Sequence, residues 1–241
     1  VVPPSTVQAL ADLKAAGLHV IPITGRPVGW SEPFARDWPV DAIVAENGAV
    51  ALTTSPIGLQ PAPALRGALS KLYQQSDAVR AANFARMQQV AQRVLSDVPG
   101  ARLARDSAGR ETDIAIDHSE FAHLTPAQVE AVVRTMQAEG MTATVSSIHI
   151  NGWYGDHNKL DGARWIVRTL LGRALDAELQ RWVYVGDSTN DQLMFEHFPH
   201  SVGVANIRRF EAQLTHKPRY ITLGERGEGF AEVARAVLAA R

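Results

Sequence analysis

The sequence predicts an α/β protein, a parallel sheet flanked by helices, with a smaller α+β unit inserted into it. Three observations carry that expectation. Helix-patterned and strand-patterned segments alternate over 1–52 and again over 152–241, the order that builds a parallel sheet. Residues 53–151 between them show a different mixture of paired helices and strands, the sign of an insertion. The apolar run Trp182-Val183-Tyr184-Val185 opens directly into Gly186-Asp187-Ser188-Thr189-Asn190-Asp191. That pattern predicts a strand buried on both faces with acids at its carboxyl end, where open α/β sheets place ligands.

In chain order, Ser5 or Thr6 is expected to cap a helix carrying Val7, Leu10 and Leu13 on one face and ending at Gly17. His19–Thr24 follows as a strand that turns at Gly25-Arg26-Pro27, and Asp41–Ala45 as another that turns at Glu46-Asn47-Gly48. A helix running into a buried strand is the second half of a βαβ unit, so a further strand is expected before Val7. In the inserted unit, Pro56, Pro61 and Pro63 mark a linker, and helices are expected over 64–75 and 77–98. Strands follow at 101–105 and 112–117, then a helix opened by Thr125-Pro126 and two strands or one bent strand over 141–151. The sheet pattern returns with a helix from Asn158-Lys159, whose Ala163, Ile166, Val167, Leu170 and Leu171 form one apolar stripe. Strands at 182–185, 201–205 and 220–223 and a helix over 229–240 complete the chain.

With 241 residues the chain can bury a substantial core. Apolar content of 46% and charged content of 20% are those of a globular protein, and a net charge of −1 gives no global attraction to nucleic acid or to acidic membranes. No cysteine is present, which excludes disulfides, thiolate zinc and a cysteine nucleophile, and fits the cytoplasm. No apolar run reaches the roughly 20 residues of a membrane span.

Thr24, Asn47 and the Asp187/Asp191 loop each follow an apolar strand, so a parallel sheet collects them at one edge. Asp187 and Asp191, with Asn190 between, can ligate a hard divalent cation through oxygen; the same residues also read as a solvated turn. An EF-hand loop fails, because Gln192 and Phe198 stand where its glycine and bidentate glutamate belong. Thr24-Gly25-Arg26 offers a hydroxyl, free N–H groups and a guanidinium for a phosphoryl oxygen, or a tight turn beside a surface charge. Lys159 opens a helix, where a cation opposes the dipole unless an anion binds. No G-x-G-x-x-G follows any strand, which disfavours a dinucleotide-dependent dehydrogenase.

Taken together, Ile23-Thr24-Gly25-Arg26-Pro27, Glu46-Asn47-Gly48-Ala49, Asn158-Lys159 and Gly186-Asp187-Ser188-Thr189-Asn190-Asp191 resemble, in order and spacing, the second, third and fourth motifs of the haloacid dehalogenase superfamily, in its Cof-type or sucrose-phosphatase-like subfamily IIB. The resemblance implies a Rossmann-like core with a mobile cap, and magnesium-dependent hydrolysis of a small phosphorylated metabolite through a phosphoaspartyl intermediate. It assigns Thr24 to a phosphoryl oxygen, Lys159 to the nucleophilic carboxylate and the developing charge, and Asp187 to magnesium. Asp191, helped by Asn190, completes or orients the metal shell, and Gly25, Arg26 and Asn47 lie near the substrate. The family's first motif, Asp-x-Asp-Gly-Thr, which supplies the nucleophile, does not occur here. It belongs on the strand expected before Val7, a strand and loop of about 15–25 residues, and the expectation is that the upstream coding sequence encodes it; without it the chain is expected to be inactive.

In the cap, Ser147, His149 and Asn151 alternate onto one face, where hydroxyl, imidazole and amide suit the hydroxyls of a sugar phosphate or form an ordinary polar sheet face. A non-catalytic protein that binds a phosphometabolite or a partner, having lost the nucleophile, is the alternative.

Overall fold

A computed structural model describes residues 2–54 and 68–240; the proline linker at 56–63 and the start of the helix expected over 64–75 lie outside them. In chain order the elements are α1 (Pro4–Ala15), α2 (Val28–Asp37), β1 (Ile43–Ala45), β2 (Val50–Thr53), β3 (Ser70–Tyr73), α3 (Asp77–Asp97), β4 (Arg102–Leu103), β5 (Ile114–Asp117) and α4 (Pro126–Ala138). They continue with β6 (Thr142–Val145), β7 (His149–Trp153), α5 (Lys159–Leu171), β8 (Val183–Gly186), α6 (Gln192–His197), β9 (His200–Gly203), β10 (Tyr220–Ile221) and α7 (Arg226–Ala239).

The main sheet comes in two halves. In one, β1, β2 and β3 are antiparallel, and the extended segment 20–23 runs parallel to β1 through Ile23 and Val44. In the other, β8, β9 and β10 are parallel. Among the described residues, segment 20–23 bonds on one side only, through Val20 and Pro22 carbonyls to the Asp41 and Val44 amides, and β8 pairs only with β9. A cavity of about 500 Å³ separates them, walled by Val20–Ile23, Val183–Gly186 and apolar side chains of α1, α5 and α7. β8 is therefore not buried on both faces as expected: Val183 is 40% exposed and the rest of the strand is half-buried. On one face of the sheet α1 and α7 pack through Ala9, Leu13, Ala231 and Ala234; α5 covers the other through Ile166 against Val44 and Ala51.

Four expectations change. α1 starts at Pro4 with Pro3 as N-cap, so neither Ser5 nor Thr6 caps it. His19–Thr24 is extended but forms only one bridge, because Pro22 has no N–H to give. Ser70–Tyr73, read as helix, is a strand because it completes the ladder beside β2. α2, which the reading omitted, forms despite the internal Pro33.

The second sheet, β4-β5-β7-β6, is antiparallel and packs on α3 and α4. Its core joins Met87, Val90 and Val94 of α3 to Val132 and Met136 of α4 and Ile116 and Ile150 of the sheet. A full capping box between Thr125 and Gln128 starts α4.

Candidate active site

The site forms where loops from both halves of the main sheet converge. Thr24 leaves segment 20–23, and its Oγ1 accepts the Arg26 amide at 3.0 Å, which leaves the hydroxyl proton free to donate. The Glu46-Asn47-Gly48 turn follows β1 with φ of 49°, 56° and 113°. Asn158 caps α5, accepting the Leu160 and Asp161 amides at 2.9 Å, and presents Lys159 to the cleft. Lys159 Nζ lies 2.6 Å from Asp191 Oδ1 and 3.3 Å from Asn190 Oδ1.

Asp191 is fully engaged. Its Oδ1 also accepts the Tyr184 hydroxyl at 2.7 Å, and its Oδ2 accepts the Asp187 and Ser188 amides at 2.8 and 3.1 Å. Burial opposes its ionisation, yet Lys159 and these donors hold it below the usual carboxylate range. Asp187 is different: Oδ2 accepts the Asn206 amide at 3.1 Å, and Oδ1 has no partner among the described residues. Burial first, then the Asp191 charge, raises its pKa. An oxygen-liking cation there would relieve both effects, so the residues fit a hard metal with Asp187 as direct ligand and Asp191 as the group that fixes Lys159. Among the described residues no cluster of three or more His, Asp or Glu forms a complete metal shell, so further oxygens must come from a ligand, water or another carboxylate.

These groups line one pocket of about 270 Å³. Thr24, Gly25, Arg26, Lys159, Asp187, Asn190 and Asp191 line one side, and His149 and Asn151 of β7 line the other with Ser147, which lies in the turn before β7 and not on the strand expected to carry all three. Two expected residues sit otherwise. Asn47 does not reach the pocket; it is buried behind Gly25, whose Cβ would meet Asn47 Oδ1 at 3.0 Å, and it donates to Asp113 at 3.4 Å. Arg26 lines the pocket, but its guanidinium is held by Asp106 at 3.0 Å and Glu120 at 3.1 Å.

Sequence reasoning missed the polar seam joining the two units. Glu46, fully buried, accepts the Val28 amide at 3.0 Å, the Glu111 amide at 3.0 Å, and the Thr112 amide and hydroxyl at 2.5 Å. Arg110 pairs with Asp113 at 2.8 Å and Asp106 at 3.1 Å and donates to the Gly25 carbonyl at 3.1 Å. Asp113 in turn accepts Asn151 at 2.9 Å. The run Arg110-Glu111-Thr112-Asp113 was the only local signal. The seam contacts that join the two units link residues 65–85 positions apart and leave no periodicity to read.

No family model matches the chain, and no curated protein matches it either. Solved structures do. A Thermoplasma acidophilum protein aligns with TM-score 0.68 at 14% identity, over 98% of this chain and 90% of its own. A subclass IIB sugar phosphatase of the haloacid dehalogenase superfamily aligns at 0.65 and 15%, over 98% and 91%. The sucrose-phosphatase of Synechocystis, solved with sucrose and phosphate, aligns at 0.64 and 13%, over 95% and 91%. The fold is that of the haloacid dehalogenase superfamily. In the terms of that fold, the split sheet with its helices is the core and the four-stranded sheet on α3 and α4 is the cap. The pocket lies between them. No helix among the described residues is long and apolar enough to cross a membrane.

Proposed function

We propose that the protein is a magnesium-dependent phosphatase of a small phosphorylated metabolite, a sugar phosphate. The observation that carries this reading is the meeting of Thr24, Lys159 and Asp187 in one pocket under Ser147, His149 and Asn151 of the cap. The Thr24 hydroxyl and the backbone at Gly25 hold phosphoryl oxygens, and Lys159, fixed by Asp191 and Asn190, opposes their charge. Asp187 holds the metal, which when bound neutralises charge on the phosphoryl group. The cap wall offers hydroxyl, imidazole and amide groups to sugar hydroxyls. Sugar phosphatase, sucrose-phosphatase and a trehalose-6-phosphate phosphatase related protein among the structural neighbours support the same substrate class.

The reaction needs a carboxylate nucleophile, and the sequence contains no Asp-x-Asp pair. The cavity between segment 20–23 and β8, apolar and flanked by two unpaired strand edges, has room for one further parallel strand. A strand seated there ends beside Thr24 and Asp187, and we assign the nucleophile to it. The first carboxylate of an Asp-x-Asp pair there takes the phosphoryl group from the ester oxygen while the second, as a carboxylic acid, gives the leaving alkoxide its proton; that second carboxylate then takes a proton from the water that hydrolyses the acyl phosphate.

The test is to express the protein with the residues encoded immediately upstream and to assay a panel of sugar phosphates with magnesium. Phosphate release that Asp187→Asn abolishes is the expected result; no release from any member of the panel overturns the reading. The alternative reading is a protein that binds phosphometabolites without turnover. Tight binding of an ester that the extended protein leaves intact would select it.

A further inference from the structure

The cations of the pocket are already spoken for. Lys159 is held by Asp191. Arg26, the only other lysine or arginine among the described residues lining the pocket, is clamped between the cap carboxylates Asp106 and Glu120. Arg110, just behind, is shared by Asp106 and Asp113. The second oxygen of Glu120 also takes His149 Nε2 at 2.9 Å, and burial pushes the His149 pKa below its ordinary value. Three carboxylates, Asp106, Asp113 and Glu120, thus engage two guanidiniums, one lining the pocket and one donating to the Gly25 carbonyl behind it.

We propose that Asp106 and Glu120 are specificity determinants: by holding Arg26, they restrict the pocket to phosphate monoesters whose other half is uncharged and polyhydroxylated, and exclude esters with a second phosphate or a carboxylate. The inference rests on the phosphoester reading of the site and names the leaving group within it. A second anion would find Arg26 and Arg110 already paired, and breaking the Arg26 pairs to free one would leave two carboxylates uncompensated. A neutral polyol meets no such conflict. It finds Ser147, the open Nδ1 of His149 and the amide oxygen of Asn151, whose nitrogen is occupied by Asp113. With Glu120 on its Nε2, His149 has a fixed orientation.

Binding tests this on the chain as it stands, with magnesium present and calorimetry as the readout. The probes are inorganic phosphate, glucose 6-phosphate and fructose 1,6-bisphosphate, which separates the second anion from the sugar. The native protein is expected to bind the monophosphate at least about tenfold more tightly than the bisphosphate. Asp106→Asn with Glu120→Gln should narrow that ratio by releasing Arg26, and adding Arg26→Gln should restore it, which simple loosening of the cap would not do. Thermal melts of each variant verify folding, and Glu120→Gln alone serves if the double variant does not fold. Equal affinity of the native protein for both sugar esters, or a ratio unmoved by the carboxylate changes, overturns the proposal. Failure of both this chain and its upstream-extended form to bind phosphate or either ester would instead overturn the phosphoester reading, and this inference with it.

Discussion

Gly48 and Gly162 touch backbone to backbone: a Cβ on Gly162 would stand 2.6 Å from Gly48 Cα, and one on Gly48 would stand 2.2 Å from the Asn158 carbonyl oxygen. This contact brings the amino end of α5 against the turn after β1. It is the reason Lys159, 135 positions away from Thr24 in the chain, shares a pocket with it. Gly48 also sits at φ 113°, where a side chain is strained whatever the space.

Gly48→Ala should therefore destabilise the fold by roughly 2–5 kcal/mol, the sum of backbone strain and forced separation. Urea unfolding gives the number. Gly17→Ala is the control: it shares the positive φ but has no neighbour within 4 Å of its Cβ position, so it should cost only the conformational part, about 1 kcal/mol.

Lys159→Met should be costly for a different reason. The Lys159 and Asp191 side chains are 11% and 3% exposed, so removing the ammonium strands a buried carboxylate, at about 3–5 kcal/mol. The double variant Lys159→Met with Asp191→Asn should lose less than the sum of the single changes in a denaturation cycle. Strict additivity would show that the pair carries no coupling.

Glu46 predicts a pH dependence. Burial, then the nearby Asp113 carboxylate, pushes its pKa from 4.5 up to about 7, against the pull of the Thr112, Val28 and Glu111 donors. Between those values the folded chain holds a proton that the unfolded chain has released, so stability falls as pH rises from about 4.5 to about 7, by at most about 3 kcal/mol. Asp41 and Asp117, whose pKa values are lowered, act in the opposite sense and at lower pH; their contribution is lost as pH falls below about 4. Urea unfolding at pH 5 and pH 7.5 should show the native protein losing more stability than Glu46→Gln over that interval. Parallel losses in the two proteins would assign the slope to other groups.

How much of this was legible in the sequence varies by element. α5 was readable because its apolar stripe is local; the structure adds the Asn158 cap and the left-handed Gly172 that bound it. The Gly186–Asp191 loop was readable because an apolar run met a cluster of turn formers. Ser70–Tyr73 misled because its pattern suits a helix, and the decision came from pairing with β2, which no local window contains. α2 was lost to Pro27 and Pro33, which look like loop punctuation although one caps the helix and the other sits inside it. Asn47 was misplaced for a related reason. The turn was evident, but whether its amide faced the cleft or Asp113 depended on a residue 66 positions away.

The divided sheet also sets what can complete it. Each of the two strand margins, segment 20–23 and β8, turns one side toward the same apolar gap, so an extended segment laid between them would join both halves into one continuous ladder.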